Sequence, residues 1–457
     1  MELVLSSILE KLQHQPNSTI STICFIIISI LCILKFTRRN NKINNLPPSP
    51  PKLPLIGNLH QLGTLPHQSL KALSDKYGPL LLLQLGQTQA LVVSSADIVE
   101  EIVKTHDVAF SNRANTKAAK VFFYQCKDIG FAPYGEEWRK KRKLCVLELL
   151  STNRVKSFQP IRENEVSIMI NSIHEACAKG SLVNLSKMIV ATSMNISSRC
   201  IFGLRFETSD DGRKSIVEAV RKMMTQLSKL GVGDLFPSLD WIDVLTGFTS
   251  RLKDMFVAGS DTVSSTIEWV FAELANNPKT MKKVQEEVRR IVGGKSRKME
   301  NDINQMKYMK CVIKETLRLH PPGPFLIPRE TANSVEIKGY HIPKKVAIYI
   351  NSYAIHRDPK LWDNAEEFIP ERFEGTQQVD YKGIGFQLIP FGIGRRACPG
   401  VSFAVASLEY VMANLLYLFD WKVPNNNGAL IDMSELSGLS ISKKHPLYLE
   451  PMPYLIC

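Results

Sequence analysis

The segment Phe391-Gly392-Ile393-Gly394-Arg395-Arg396-Ala397-Cys398-Pro399-Gly400 gathers residue types that chemistry needs. Cys398 stands directly before Pro399, Gly400 and a long apolar stretch that reads as a helix to about Phe419. Proline is favoured near the first helical position. A cysteine at such a place meets the positive end of the helix dipole and unpaired N–H groups, which lower a thiol pKa and favour thiolate. Phe391 offers an apolar lid, Gly392 and Gly394 permit tight turns, and Arg396 presents a forked cation to a carboxylate. Gly400 lets something large approach the backbone. The plain alternative is a buried cysteine in a glycine-rich loop. No His/Asn partner pattern accompanies Cys398, which excludes a nucleophilic-cysteine hydrolase.

Other constellations lie upstream. Glu315 and Arg318, in VIKETLRLHPP, are three apart and share a helix face. Trp138 and Arg142, in PYGEEWRKKRKL, are four apart and do the same. Lys140, Lys141 and Lys143 beside them read as a solvated basic face. Arg329 enters a strand-like run. Ala258 to Thr262 reads AGSDT inside a helical pattern, where Ser, Asp and Thr need a reason to sit mid-helix. An N-cap is the other reading of that segment.

The spacing Phe-x-x-Gly-x-Arg-x-Cys-x-Gly closely resembles the haem-binding loop of the cytochrome P-450 family, with Glu315-x-x-Arg318, the PERF of Pro370 to Phe373 and AGSDT in support. The chain most resembles plant members anchored in the endoplasmic reticulum, the A-type group, through LPPSPPKLPLIGNLHQLG and CKDIGFAPYGEEWR. The resemblance implies a mainly α fold with small β-sheets. It implies haem b, with Cys398 as axial thiolate to the iron. Phe391, Gly394, Arg396 and Gly400 would frame the haem, and Trp138, Arg142 and Arg329 would meet its propionates. Glu315, Arg318 and Arg372 would form a buried ion triad, which specifies geometry more than it adds stability. Asp261 would relay protons and Thr262 would hydrogen-bond the oxygen being activated. Val121, Phe122, Ala258, Phe325 and Leu326 would touch substrate, with the loop Leu235 to Trp241 and the turn Leu436 to Leu439 as further contacts. The implied reaction inserts one atom of O₂ into a small apolar metabolite, with electrons from NADPH through a flavoprotein reductase. Lys140, Lys141, Lys143 and Arg395 would form the basic face for that acidic partner.

The chain departs from the pattern at one place. Lys253 joins Asp254 directly, where relatives carry several dozen more residues that roof the site. A second reading is therefore a catalytically impaired splice or truncated homologue that still engages membrane and reductase. A third, a haem-thiolate enzyme that rearranges hydroperoxides, fits poorly, because such relatives lack both the Asp-Thr pair and a membrane anchor.

The elements that must position these residues are legible in outline. Residues 66–77 read as a helix. Leu80 to Val93 read as two apolar runs about a Gly86-Gln87-Thr88 turn, a hairpin. Helical periodicity dominates from about 96 to 320. Val335 to Tyr340 and Val346 to Ile350 read as strands. Ile20 to Leu34 is apolar and followed by Lys35, Arg38, Arg39 and Lys42, the pattern of a short membrane helix with a cytosolic sequel. The expected divisions are 1–36 (anchor, spanning about 18–36), 37–57 (basic and proline-rich hinge) and 58–457 (catalytic domain). Five prolines between Pro47 and Pro54 favour a stiff extended hinge.

Composition fits this outline. Of 457 residues, 44% are hydrophobic and 22% charged, which excludes disorder. The nine cysteines are odd in number and scattered, unlike a secreted disulfide scaffold. The net charge of +13 comes with no zinc spacing, RNA-binding aromatic motif or repeat. A membrane surface and an acidic protein partner are its reading, not nucleic acid.

Overall fold

Four consecutive leucines, Leu80 to Leu83, open a strand whose two faces are both buried. Leu80 and Leu82 pack with Leu91, Val93, Ile98 and Ile348. Leu81 and Leu83 pack with Leu70, Ala90 and Val92 on the other side. Side chains alternate along a strand, so a run without polar alternation is the signature of a sheet covered on both faces.

The computed structural model describes residues 22–23, 26, 45–205, 225–227, 229–246, 261–293, 299–375, 379–381, 383, 385–424 and 430–454. The expected anchor, except Thr22, Ile23 and Ile26, lies outside these residues, as do Ala258 and the Lys253–Asp254 junction. In chain order the elements used here are α1 (Pro66–Tyr77), β1 (Leu80–Leu85), β2 (Thr88–Val93), α2 (Ala96–Thr105), β3 (Asn112–Arg113), α3 (Lys117–Phe122), α4 (Glu136–Leu144) and α5 (Gln159–Ala178). There follow β4 (Val183–Asn184), α6 (Leu185–Phe202), α7 (Asp261–Asn276), α8 (Pro278–Val292), α9 (Lys307–Leu319) and β5 (Arg329–Glu330). The chain then forms β6 (Val335–Ile337), β7 (Tyr340–Ile342), β8 (Ala347–Ile350), α10 (Val401–Leu418), β9 (Phe419–Lys422), β10 (Glu435–Leu436), β11 (Ser442–Lys443) and β12 (Tyr448–Pro453). The fold is mainly helical with small sheets, as expected.

The hairpin closes with a two-residue turn at Gly86-Gln87, because Thr88 already pairs with Leu85. Gly86 takes φ +61° and a Cβ there would lie 2.7 Å from Leu235 O. The hairpin joins a five-stranded sheet in the order β1-β2-β8-β5-β3. β2 and β8 are parallel, and the other pairs are antiparallel. β3 and β5 place Arg113 directly across from Arg329. The run Val335 to Tyr340 is two strands rather than one. Lys338 and Gly339 both take positive φ, and the chain doubles back as the β6–β7 hairpin.

The largest core lies among α5 to α10. Trp269, Phe271, Val312, Ile313, Met412 and Leu416 are all fully buried there. α10 is long and apolar enough to cross a membrane, but it is mostly buried in this core, the ordinary state of a central helix.

The proline-rich stretch is not a free hinge over its described part. Leu82 N–H donates to Pro48 O at 2.9 Å, and Asn58 Nδ2 donates to Pro50 O at 3.2 Å. Gly57 packs so closely on Gln84 that a Cβ would sit 2.1 Å from its carbonyl oxygen. Proline carbonyls still accept hydrogen bonds, so a segment unable to enter a ladder can cap a sheet edge.

Candidate active site

The Glu-x-x-Arg pair is fully buried on α9, and its charges are completely engaged. Arg318 donates Nε and Nη2 to the two oxygens of Glu315 at 2.7 and 2.8 Å. Its Nη1 reaches His356 O and Ala365 O, and Nη2 also reaches Glu367 O. Glu315 further accepts from Arg372 Nε at 3.0 Å and from Ile369 N–H at 2.8 Å. The expected triad is therefore assembled, and it grips the backbone that leads toward the cysteine loop.

In that loop Gly392 and Gly394 take φ +71° and +67°, as their turns require. Cys398 N–H donates to Phe391 O at 2.8 Å, which folds the loop back on itself. The exposed surface of Cys398 faces a cavity of about 410 Å³. Cys398, Phe391, Gly392, Gly400, Phe403, Leu408, Leu317, Leu326 and Thr262 share its lining. The expectation that the helix dipole lowers the Cys398 thiol is corrected. Burial pushes its pKa up, outweighing Arg142 and the Gly400 N–H that donates to Sγ at 3.4 Å. The N-cap Gly400 of the helix that begins at Val401 supplies that N–H, and burial outweighs it.

Four guanidiniums reach the same cavity: Arg113, Arg142, Arg329 and Arg396. Arg396 donates to Ser111 O at 2.7 Å and Ala132 O at 2.6 Å, while its buried Nη1 has no hydrogen-bond partner. Arg329 donates to Ile393 O, and its Nη1 likewise lacks a hydrogen bond. Burial depresses the pKa of all four, and mutual repulsion adds to this at Arg113 and Arg396, the latter brought to about 10. Among the described residues no Asp or Glu lines the cavity. Arg329 has Asp107 at 3.6 Å, outside the lining, and the remaining excess of positive charge at the cavity wall calls for a bound anion.

Trp138 is buried and also lines the cavity, but its indole N–H donates to Ile129 O at 2.9 Å. It supports the cations through its ring: the Arg396 guanidinium lies 4.3 Å and that of Arg142 6.0 Å from the centroid.

Several expected residues stand elsewhere. Gly394 does not line the cavity. A Cβ there would lie 2.7 Å from Asp107 Oδ1, so its glycine serves the approach of that carboxylate. Phe325 packs with Leu81, Leu83 and Tyr349, edge-on to Tyr349 at 5.7 Å, away from the cavity. Val121 and Phe122 pack with Ala118, Leu227 and Leu439. They stand behind Leu439, which does line the cavity. Asp261 opens α7, its side chain outside the described residues. Thr262 faces the cavity, and its carbonyl accepts from Thr266 Oγ1 at 2.9 Å.

Two residues escaped sequence reading. Arg113 is anchored by Gly130 O at 2.8 Å and by Ile327 O. Its strand is two residues long and carries no periodic signal. Asp107 lies 3.6 Å from Arg329 Nη1 and accepts the Arg395 N–H, in a loop without a motif.

The basic face is smaller than the sequence suggests. Lys140 pairs with Glu136 at 3.0 Å and Glu137 at 3.5 Å. Lys141 donates to Lys127 O at 2.6 Å, and Arg395 lies 3.5 Å from Asp107. Lys143 and Arg139 are exposed.

The Cytochrome P450 family profile matches residues 47–248 and 248–449. The chain belongs to that family. A phenylacetaldehyde oxime monooxygenase of Prunus mume is 44% identical over 466 aligned positions, covering 88% of each chain. Cytochrome P450 71A1 of Persea americana is 44% identical, covering 86% of this chain and 90% of its own. A strychnine-11-hydroxylase of Strychnos nux-vomica is 40% identical, with 88% and 90% covered. The fold matches a zebrafish cytochrome P450 solved with progesterone at a TM-score of 0.72 and 23% identity, covering 86% of this chain and all of the other. This chain is thus a plant-type P450 oxidoreductase, and the cofactor of its family is haem. Its cavity fits such a group: one thiol, an apolar lining, and guanidiniums with unmatched donors for two carboxylates. Because 88% of 457 residues is about 402, about 64 of the 466 positions aligned with the Prunus enzyme face no residue of this chain. The two matched blocks of the family profile meet at residue 248, close to the Lys253–Asp254 junction.

Proposed function

We propose that this P450 is a haem-thiolate monooxygenase of a small apolar metabolite, fed with electrons from NADPH by a flavoprotein reductase. One observation carries the reading: Cys398 opens onto an apolar cavity ringed by four guanidiniums, three of them buried, with no carboxylate among the described lining residues. Cys398 would ligate the iron. Arg142, Arg329, Arg396 and Arg113 would hold the propionates, with Trp138 backing two of them through its ring. When bound, haem supplies the reductive activation of dioxygen, one atom going to substrate and the other to water. Thr262, at the cavity face of α7, would donate a hydrogen bond there, and Asp261 would bring protons from the same helix. Leu326, Val263 and Leu439 would press the substrate with apolar surface. Residues 18–36 would anchor the chain in the endoplasmic-reticulum membrane, with 58–457 as the cytosolic catalytic domain.

The reduced protein's carbon-monoxide difference spectrum tests this. A thiolate-type Soret band, lost in Cys398→Ser, is the expected result.

A second reading has an observation of its own. The two-block family match and the roughly 64 unmatched positions support a chain shorter than its relatives, and the second reading takes it as a homologue with impaired turnover that still engages membrane and reductase. Absence of haem uptake in the same experiment would select it.

A further inference from the structure

His356 is fully buried, and none of the sequence motifs includes it. Its backbone carbonyl accepts from Arg318 Nη1 at 2.8 Å. Its ring Nε2 accepts the backbone N–H of Ile389 at 2.9 Å. Ile389 is itself fully buried, and its carbonyl accepts the Gly392 N–H at 3.0 Å. Pro390, Phe391 and Gly392 then line the cavity, and Phe391 O takes the Cys398 N–H. One residue thus joins the ion triad to the start of the cysteine loop.

We propose that His356 is a positioning residue for the Cys398 loop, acting as the neutral ring acceptor that fixes Ile389. This rests on the reading of Cys398 as the metal ligand. A buried N–H without a partner costs more than an ordinary hydrogen bond contributes, so position 356 must present an acceptor. Only the Nδ1–H tautomer leaves Nε2 free to accept. The backbone of Leu317 and Arg318 lies beside the ring and favours a proton on it, while Nδ1 itself makes no hydrogen bond among the described residues. Protonation of Nε2 would set donor against donor. Burial foremost, then the neighbouring guanidiniums of Arg318 and Arg357, depress the ring pKa to about 3 and keep it neutral. The loop is therefore held by a ring that does not titrate under working conditions.

The test is backbone hydrogen exchange on the full chain, read on peptides spanning 388–398, 307–319 and 401–418. His356→Leu removes the acceptor; His356→Gln returns an oxygen to the Nε2 position. Exchange of 388–398 should rise about tenfold in His356→Leu, the effect of one lost hydrogen bond, with both helices unchanged. His356→Gln should restore it. Haem transfer to apomyoglobin should accelerate in the same order. Unchanged protection in His356→Leu, a uniform loss across all three peptides, or a His356→Gln protein as loose as His356→Leu would overturn the proposal. Should His356→Leu not fold, His356→Asn, whose oxygen falls short of Ile389, takes its place. Exchange needs no haem, so a wild-type chain that binds none counts against the functional reading and leaves this test standing.

Discussion

Asp107 reaches Arg329 with one carboxylate oxygen, Oδ1, at 3.6 Å. Its other oxygen accepts the Arg395 N–H at 3.0 Å. The carboxylate therefore couples a cavity cation to the turn that leads into Cys398. Gly394→Ala should force a Cβ against this carboxylate at 2.7 Å and against a φ of +67°, costing about 1–3 kcal/mol. Asp107→Asn should leave the turn in place and loosen Arg329. Thermal unfolding of the two variants should show a much larger loss for Gly394→Ala, and haem retention should fall in both.

Glu315 accepts from Arg318, Arg372 and the Ile369 N–H, and has no exposed surface. Glu315→Gln would leave two guanidiniums without their counter-charge. Removal of one partner from a buried ion network costs about 3–5 kcal/mol. Urea unfolding should show a lowered midpoint with an unchanged slope.

Partner docking should be uneven across the basic helix. Lys140 is already neutralised by Glu136 and Glu137, whereas Lys143 is exposed and enters none of the ion pairs formed among the described residues. Lys143→Glu should slow reduction by the reductase several-fold at low salt, and the difference should fade as salt rises. Lys140→Glu should do less. Stopped-flow reduction at two ionic strengths would distinguish them, and equal effects would remove the docking assignment.

Glu409 is a buried acid on α10, facing Tyr381 and Lys310, and burial raises its pKa to about 7 from 4.5. Between those values the folded chain holds a proton that the unfolded chain has released. Stability therefore falls as pH rises through that window, by roughly 3 kcal/mol in all, and levels off above it. Glu409→Gln should flatten this slope and gain stability above pH 7. Chemical unfolding at pH 5 and pH 8 measures both.

The sequence reveals what is local in this protein. The helix over 66–77, the hairpin over 80–93, the Glu315/Arg318 face and the cysteine loop each follow from spacing within a few residues. The cations are not local in that way. Arg113 becomes a cavity residue only because β3 pairs with β5, more than two hundred positions away. Phe325 and Leu326 look equivalent in PPGPFLI, yet Leu326 takes φ +55° and only it lines the cavity. An inverted backbone at a leucine has no signature in residue type. The pinned prolines and the split of Val335 to Tyr340 into two strands are likewise settled by tertiary partners, not by propensity.

The Arg113–Arg329 register pair bears on how the protein survives synthesis. Opposed like charges weaken a strand pair, and burial deepens the penalty. A dianion seated beside them turns the penalty into attraction, and binding at a hundredfold excess over Kd adds about 2.7 kcal/mol to stability. A newly made chain is therefore most vulnerable to proteolysis before its prosthetic group arrives. How much enzyme accumulates in a cell then follows haem supply as well as the rate of translation.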